Sequence, residues 1–131
     1  LLVEDEWLIR ADMAAVFEDA GWEVEEASTG EGAIECLRNG QPIDLLVTDI
    51  QLAGYLNGWD VAEAARGVRG DFTVIYASGN PVNPKRSFAG SVFLSKPCCG
   101  TEVVKTACEL ARKRRMARDI EKKPGGKEPG F

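Results

Sequence analysis

The sequence predicts an α/β fold in which a parallel sheet carries helices on both faces. Two observations lead there. Short apolar runs alternate with amphipathic stretches along most of the chain, the pattern of strand–helix–strand units joined by right-handed crossovers. The inner runs, Ile43 to Thr48 (interrupted only by Asp44) and Phe72 to Ala77, are almost unbroken apolar sequence, as strands covered on both faces require.

The elements follow in order. Leu1-Leu2-Val3 is an apolar run with acids directly behind it. Leu8 to Ala20 has helical spacing, with Leu8, Ala11 and Ala15 expected inward together with Met13 and Phe17. Gly21 stands where a helix C-cap belongs. Trp22 to Ala27 alternates apolar residues with glutamates and reads as an edge strand. Ser28 or Thr29 can cap a second helix whose stripe is Ala33, Ile34 and Leu37 and which ends at Gly40. After the buried run ending at Thr48, residues 49–57 read as a loop and Gly58 to Val68 as an alanine-rich helix. Beyond the second buried run come the breakers Ser78, Gly79, Asn80 and Pro81. With Pro84 they leave room only for a short or irregular fourth helix before a strand from Ser91 to Leu94. Thr101 opens a last helix to about Arg118, with Val103, Val104, Ala107, Leu110 and Ala111 inward. One domain is therefore expected over residues 1–118, and residues 119–131, with Pro124-Gly125-Gly126, as a disordered tail or linker.

Composition narrows the function. A length of 131 residues is one domain's worth, and 44% apolar content suits a folded core. The net charge of −5 argues against an extended nucleic-acid surface. Lys113-Arg114-Arg115 reads as a solvated helix face near a C-terminus, where cations are favoured. No apolar run nears the roughly 20 residues that span a bilayer, and a cytoplasmic location is expected. Cys36, Cys98, Cys99 and Cys108 lack the paired C-x-x-C spacing of a zinc site and read as reduced thiols. The chain contains no histidine. His-based acid–base chemistry is excluded, and any phosphohistidine donor must be another molecule.

In open parallel sheets the active site lies beyond the carboxyl ends of the strands. That rule selects Glu4 and Asp5, Asp49, Ser78 and Lys96. Three carboxylates at one edge repel each other unless a hard cation joins them, and Mg²⁺ favours carboxylates, water and phosphate oxygens. A carboxylate can attack phosphorus and hold a phosphoryl group, a transfer that needs mainly positioning and charge neutralisation. Asp49 is the best nucleophile because it follows the central buried run. Lys96 would supply positive charge and Ser78 a hydroxyl. Trp7, beside the acidic pair, reads equally as a guard of the site or as a surface residue.

Four segments, Val3-Glu4-Asp5-Glu6, Val47-Thr48-Asp49-Ile50, Ala77-Ser78-Gly79 and Leu94-Ser95-Lys96-Pro97, resemble the signature regions of response-regulator receiver domains of two-component signalling. No one of them is specific; four in order, each at a strand end, are. The resemblance covers about Leu1 to Arg118. It implies a flavodoxin-like (βα)5 fold with strand order 2-1-3-4-5, and Asp49 as phosphoacceptor. It also implies Mg²⁺ (or Mn²⁺) held by Asp5, Asp49, the Gln51 backbone carbonyl and, through water, Glu4. Ser78 and Lys96 would contact the phosphoryl group, and Lys96-Pro97 would be cis. Phe93, three residues before the lysine, matches the aromatic switch position. Gln51 and Asn80 would border the attacking water and tune acyl-phosphate lifetime. The implied partners are a sensor histidine kinase or phosphotransfer protein and a downstream protein effector, with no turnover substrate of its own. The chain would be a stand-alone receiver or part of a larger protein such as a hybrid kinase. Val74 to Gly79 also resembles a receiver subfamily with Phe-Ala-Thr-Gly there, linked to a distinct class of bacterial histidine kinases.

Three rival readings compete. A haloacid-dehalogenase-type phosphatase shares the aspartate nucleophile and the lysine but needs an acid two residues on, where this chain has Gln51. A flavodoxin-like binding module needs a phosphate loop after the first strand, where Glu4-Asp5-Glu6 would repel phosphate. A degenerate receiver would act only as an interaction module.

Overall fold

Strand residues that point alternately up and down need two cores, one on each side of the sheet. The computed structural model, which describes residues 1–40, 42–69, 72–79 and 90–122, has that arrangement. The chain forms β1 (Leu2–Val3), α1 (Trp7–Asp19), β2 (Glu26–Ala27), α2 (Gly30–Arg38), β3 (Leu45–Asp49), α3 (Gly58–Arg69), β4 (Thr73–Ser78), β5 (Val92–Ser95) and α4 (Gly100–Lys122). The five strands are parallel in the order β2-β1-β3-β4-β5, the order the sequence resemblance implies.

The apolar runs divide residue by residue. Leu2, Leu45, Val47 and Ile75 pack with Met13, Ala14 and Phe17 of α1 and Val103, Val104 and Ala107 of α4. Val3, Leu46, Val74 and Tyr76 pack with Ala33 and Leu37 of α2 and Trp59, Val61, Ala62 and Ala65 of α3. Neighbours in one strand thus face opposite cores, which is why β3 and β4 carry no polar alternation.

The helix termini show local chemistry at work. After α1, the Gly21 N–H donates to the Glu18 carbonyl at 3.0 Å and the Trp22 N–H to the Phe17 carbonyl at 3.0 Å. Gly21 has φ 94°, the left-handed turn that this paired cap needs and glycine takes without strain. The hydrophobic contact that accompanies such a cap is Phe17 against Trp22, edge to face at 5.6 Å. At the start of α2, Thr29 Oγ1 accepts from the Gly32 N–H at 2.9 Å, choosing Thr29 over Ser28 as the cap.

Three expectations are corrected. In α1 the buried residues are Met13, Ala14 and Phe17, whereas Leu8, Ala11 and Ala15 are exposed. Apolar residues lie all round this helix, so spacing alone does not pick its inner face. Only Glu26–Ala27 of the expected 22–27 strand pairs, on β1 at the sheet edge. The last helix runs four residues past Arg118 to Lys122; no breaker precedes Pro124. The short fourth helix, expected between β4 and β5, falls outside the described residues.

Candidate functional site

Parallel pairing brings the carboxyl ends of the strands to one edge, and the register fixes which residues meet there. Asp49 pairs with Ala77 across β3 and β4, and Ser78 pairs with Ser95 across β4 and β5. The Lys96 N–H donates to the Ser78 carbonyl at 2.9 Å and the Glu4 N–H to the Ala27 carbonyl at 3.1 Å. The selected residues therefore leave the sheet side by side.

Their side chains converge. Lys96 Nζ donates to Asp49 Oδ2 at 2.7 Å and to Glu4 Oε1 at 2.8 Å. Carboxylate oxygens of Glu4, Asp5 and Asp49 lie within 4.8 Å of one another. Glu4 is buried at 3% exposure and Ser78 at 7%, while Asp5 is exposed. The second oxygen of Asp49 accepts the Gln51 N–H at 3.2 Å. The second oxygen of Glu4 accepts the Glu6 N–H at 3.2 Å. Lys96-Pro97 is cis, as the resemblance implies.

Burial pushes the Glu4 carboxyl above the usual carboxylate range, and the Lys96 hydrogen bond opposes that rise only in part. Burial works to lower the Lys96 pKa, but its bonds to Asp49 and Glu4, and their charges, hold it above the ordinary lysine range. The ammonium is thus firmly charged and partly neutralises two acids that would otherwise repel each other. One buried and two more accessible carboxylates clustered this closely suit a hard divalent cation with oxygen ligands.

Phe93 is half-buried. Its ring stacks on Tyr76 at 5.1 Å with 19° between planes and meets Trp59 at 5.9 Å. Trp59 and Tyr76 are themselves 4.7 Å apart. The aromatic expected to be mobile is thus one of three rings joining α3, β4 and β5, and Tyr76 lies two residues before Ser78, on the same face of β4. Trp7 is 69% exposed and the four cysteines are free. Gln51 is exposed; Asn80 lies outside the described residues.

Two contributors escaped the sequence reading. A Cβ on Gly58 would stand 2.3 Å from the Asp49 carbonyl oxygen and 2.8 Å from Ile50 Cα. Only glycine lets α3 start against the backbone of Asp49. The Gly58 N–H donates to the Ile50 carbonyl at 2.7 Å, closing the loop between them. The Asn57 and Asp60 side chains cap each other's N–H groups at 2.9 and 3.0 Å, a reciprocal cap of the capping-box kind. The Asn-Gly-x-Asp spelling was the available signal for this helix start. The other contributor is Arg10, whose Nη1 donates to the Glu4 carbonyl at 2.8 Å. Only its place one turn into α1 hinted at this.

Comparison with known proteins agrees with this geometry. The family described as the response regulator receiver domain matches residues 1–107. A response regulator receiver protein from Sinorhizobium medicae is 31% identical with a TM-score of 0.80, covering 86% of this chain and 93% of that one. The receiver domain of the hybrid histidine kinase CckA is 30% identical with a TM-score of 0.72, covering 83% and 94%. A CheY-like receiver from Methanospirillum hungatei, at 23% identity and a TM-score of 0.75 over 88% and 94%, shares the fold. No curated protein matches.

Proposed function

The chain belongs to the response-regulator receiver family, and from that premise we propose that it is a phosphorylation switch whose acceptor is Asp49. The observation that carries the reading is the contact of Lys96 Nζ with both Asp49 Oδ2 and Glu4 Oε1, at 2.7 and 2.8 Å, beside the exposed carboxylate of Asp5.

In this reading the Asp49 carboxylate attacks the phosphorus of a phosphohistidine on a sensor kinase or phosphotransfer protein, or of a small acyl phosphate. A new O–P bond forms at Asp49 while the donor's P–N or P–O bond breaks, and the leaving group departs with the bonding electrons, as a carboxylate or as a neutral imidazole whose other ring nitrogen was already protonated on the donor. The Lys96 ammonium stands where it can stabilise the phosphoryl oxygens, and the Ser78 hydroxyl, at the end of β4, can hydrogen-bond another. Asp5, Asp49, Glu4 and the Gln51 carbonyl would hold Mg²⁺ or Mn²⁺. Such an ion, when bound, supplies the remaining neutralisation of charge between acceptor and phosphate. Transfer follows positioning and charge, so no side chain has to act as a proton donor of the kind a phosphatase needs.

The readout would be a packing change: Ser78 drawn toward the phosphoryl group, and Phe93 adjusting against Tyr76 and Trp59, alters the surface near β5 and α4 that an effector protein reads. Gln51 and Asn80 are the residues proposed to tune the lifetime of the acyl phosphate. The chain turns over no separate substrate. A cytoplasmic location goes with this reading, since it would give the acceptor access to a donor kinase and to metabolic acyl phosphates. No helix among the described residues is long and apolar enough to cross a membrane.

Intact-mass measurement after incubation with acetyl phosphate and Mg²⁺ should show one added phosphoryl group, absent in Asp49→Asn and absent without the ion. Labelling that persists in that variant counts against Asp49. Failure of the unaltered chain to label makes it an interaction module, and turnover of a general phosphomonoester would revive the hydrolase reading.

A further inference from the structure

Both acids after β1 sit on the bend where the strand becomes α1, so the shape of that bend sets where Glu4 and Asp5 point. Arg10 grips it. Its Nη1 donates to the Glu4 carbonyl at 2.8 Å, and its Nε donates to Glu26 Oε1 on β2 at 3.2 Å. Its own N–H donates to the Glu6 carbonyl at 2.9 Å. One planar guanidinium thus ties the bend to the neighbouring strand. The fork geometry matters: a lysine ammonium at the same position keeps the charge but lacks the two rigidly spaced donors.

We propose that Arg10 is a positioning residue for a divalent cation at the acidic cluster, holding the Glu4–Asp5 bend in its ligating shape by bracing it against Glu26. The inference rests on the cation reading given above and adds to it a residue that contacts no ligand side chain. Groups that orient ligands in this indirect way typically change metal affinity by about 10- to 100-fold.

Charge alone predicts the opposite sign. Removing a cation close to the site should strengthen the binding of another cation, whereas removing a brace should weaken it. Mg²⁺ titrations by calorimetry, at constant ionic strength and without phosphodonor, separate the two. Arg10→Gln should bind Mg²⁺ about tenfold more weakly than the unaltered chain. Arg10→Lys should be weakened to a similar extent, and Glu26→Gln should shift the same way by less. Urea midpoints measured in chelator report stability independently of the ion. Unchanged or tighter Mg²⁺ binding by Arg10→Gln overturns the proposal, as does full restoration by Arg10→Lys. Lowered urea midpoints with unaltered Mg²⁺ affinity make Arg10 a structural strut only, and also overturn it. Should Arg10→Gln not fold, Arg10→Lys carries the comparison by itself, because it keeps the charge and removes only the fork. Absence of Mg²⁺ binding by the unaltered chain refutes the cation reading and this inference together. Binding by that chain, with indifferent variants, refutes this inference alone.

Discussion

The Lys96 ammonium lies 2.7 Å from the Asp49 carboxylate across 47 positions of sequence, and the same nitrogen holds Glu4. One cation therefore offsets two acids, one on the bend after β1 and one at the end of β3. Its side chain is 20% exposed against 4% for Glu4, so solvent screens it in part. Lys96→Met keeps the chain length and removes the charge, leaving Glu4 buried without its counter-ion. The expected loss is about 2 kcal/mol, below the 3–5 kcal/mol typical of a fully buried pair. Urea denaturation in chelator measures it. Millimolar Mg²⁺ should narrow the gap, because a bound cation replaces the missing charge. A gap indifferent to Mg²⁺ would contradict the shared electrostatic site.

Gly58 makes a sharper test of how Asp49 is placed. The clash its Cβ would create is with backbone, at 2.3 Å from the Asp49 oxygen, so no rotamer change relieves it. Gly58→Ala should cost about 1–3 kcal/mol by overpacking and slow phosphorylation of Asp49 by acetyl phosphate. Gly67, on the same helix, is the control, since a Cβ there meets nothing within 4 Å. Gly67→Ala should stabilise by about 0.4–1 kcal/mol and leave the phosphorylation rate alone. Equal behaviour of the two variants would remove the argument from close approach.

The contrast between these two glycines shows what was legible in the sequence. Both are glycines in one apolar-periodic segment, and only the folded distance to Asp49 separates them. The strands β3 and β4 were readable because burial on both faces leaves a continuous apolar run. The site acids, Ser78 and Lys96 were readable because a parallel sheet gathers whatever follows each strand. The inner face of α1 was not. Leu8, at 59% exposure, and Met13 look equally apolar in sequence, and the choice between them is made by α4, which packs on Met13, Ala14 and Phe17. Arg10 was invisible for the same reason: its partners lie on the bend after β1 and on β2.

The three rings around Phe93 give an optical handle on the proposed switch. Trp59 is buried, at 7% exposure, whereas Trp7 is 69% exposed. With Trp7 and Trp22 replaced by phenylalanine, Trp59 becomes the sole indole, 5.9 Å from Phe93. Its emission should shift on addition of acetyl phosphate and Mg²⁺, and the shift should vanish in Asp49→Asn. Phe93→Ala should destabilise by about 2 kcal/mol, less than the 3–5 kcal/mol of a fully buried ring, and should reduce the shift. An emission change that survives Asp49→Asn would detach the aromatic cluster from phosphorylation.

The adjacent thiols Cys98 and Cys99 provide a test of local electrostatics just beyond Lys96. Burial pushes the Cys98 thiol up, and the Glu102 charge adds to the rise. The Cys99 thiol is pulled down by its contact with the Thr101 hydroxyl, whose Oγ1 is 3.1 Å from Cys99 Sγ. A lowered thiol pKa means a larger thiolate fraction near neutral pH, and the thiolate is the form that alkylates. Iodoacetamide at pH 7.5 should therefore modify Cys99 before Cys98, with exposure acting in the same direction. As pH rises past both thiol pKa values, the electrostatic part of the preference disappears and the ratio of rates falls to what exposure alone maintains. Thr101→Val, which removes the hydroxyl and keeps the side-chain shape, should slow Cys99 near pH 7.5 and leave its rate at pH 10 nearly unchanged. Fragment-ion mass spectrometry of the peptide spanning both residues reads each rate separately. Modification of Cys98 ahead of Cys99, or a Cys99 rate indifferent to Thr101, would show that the Thr101 contact does not control the thiol.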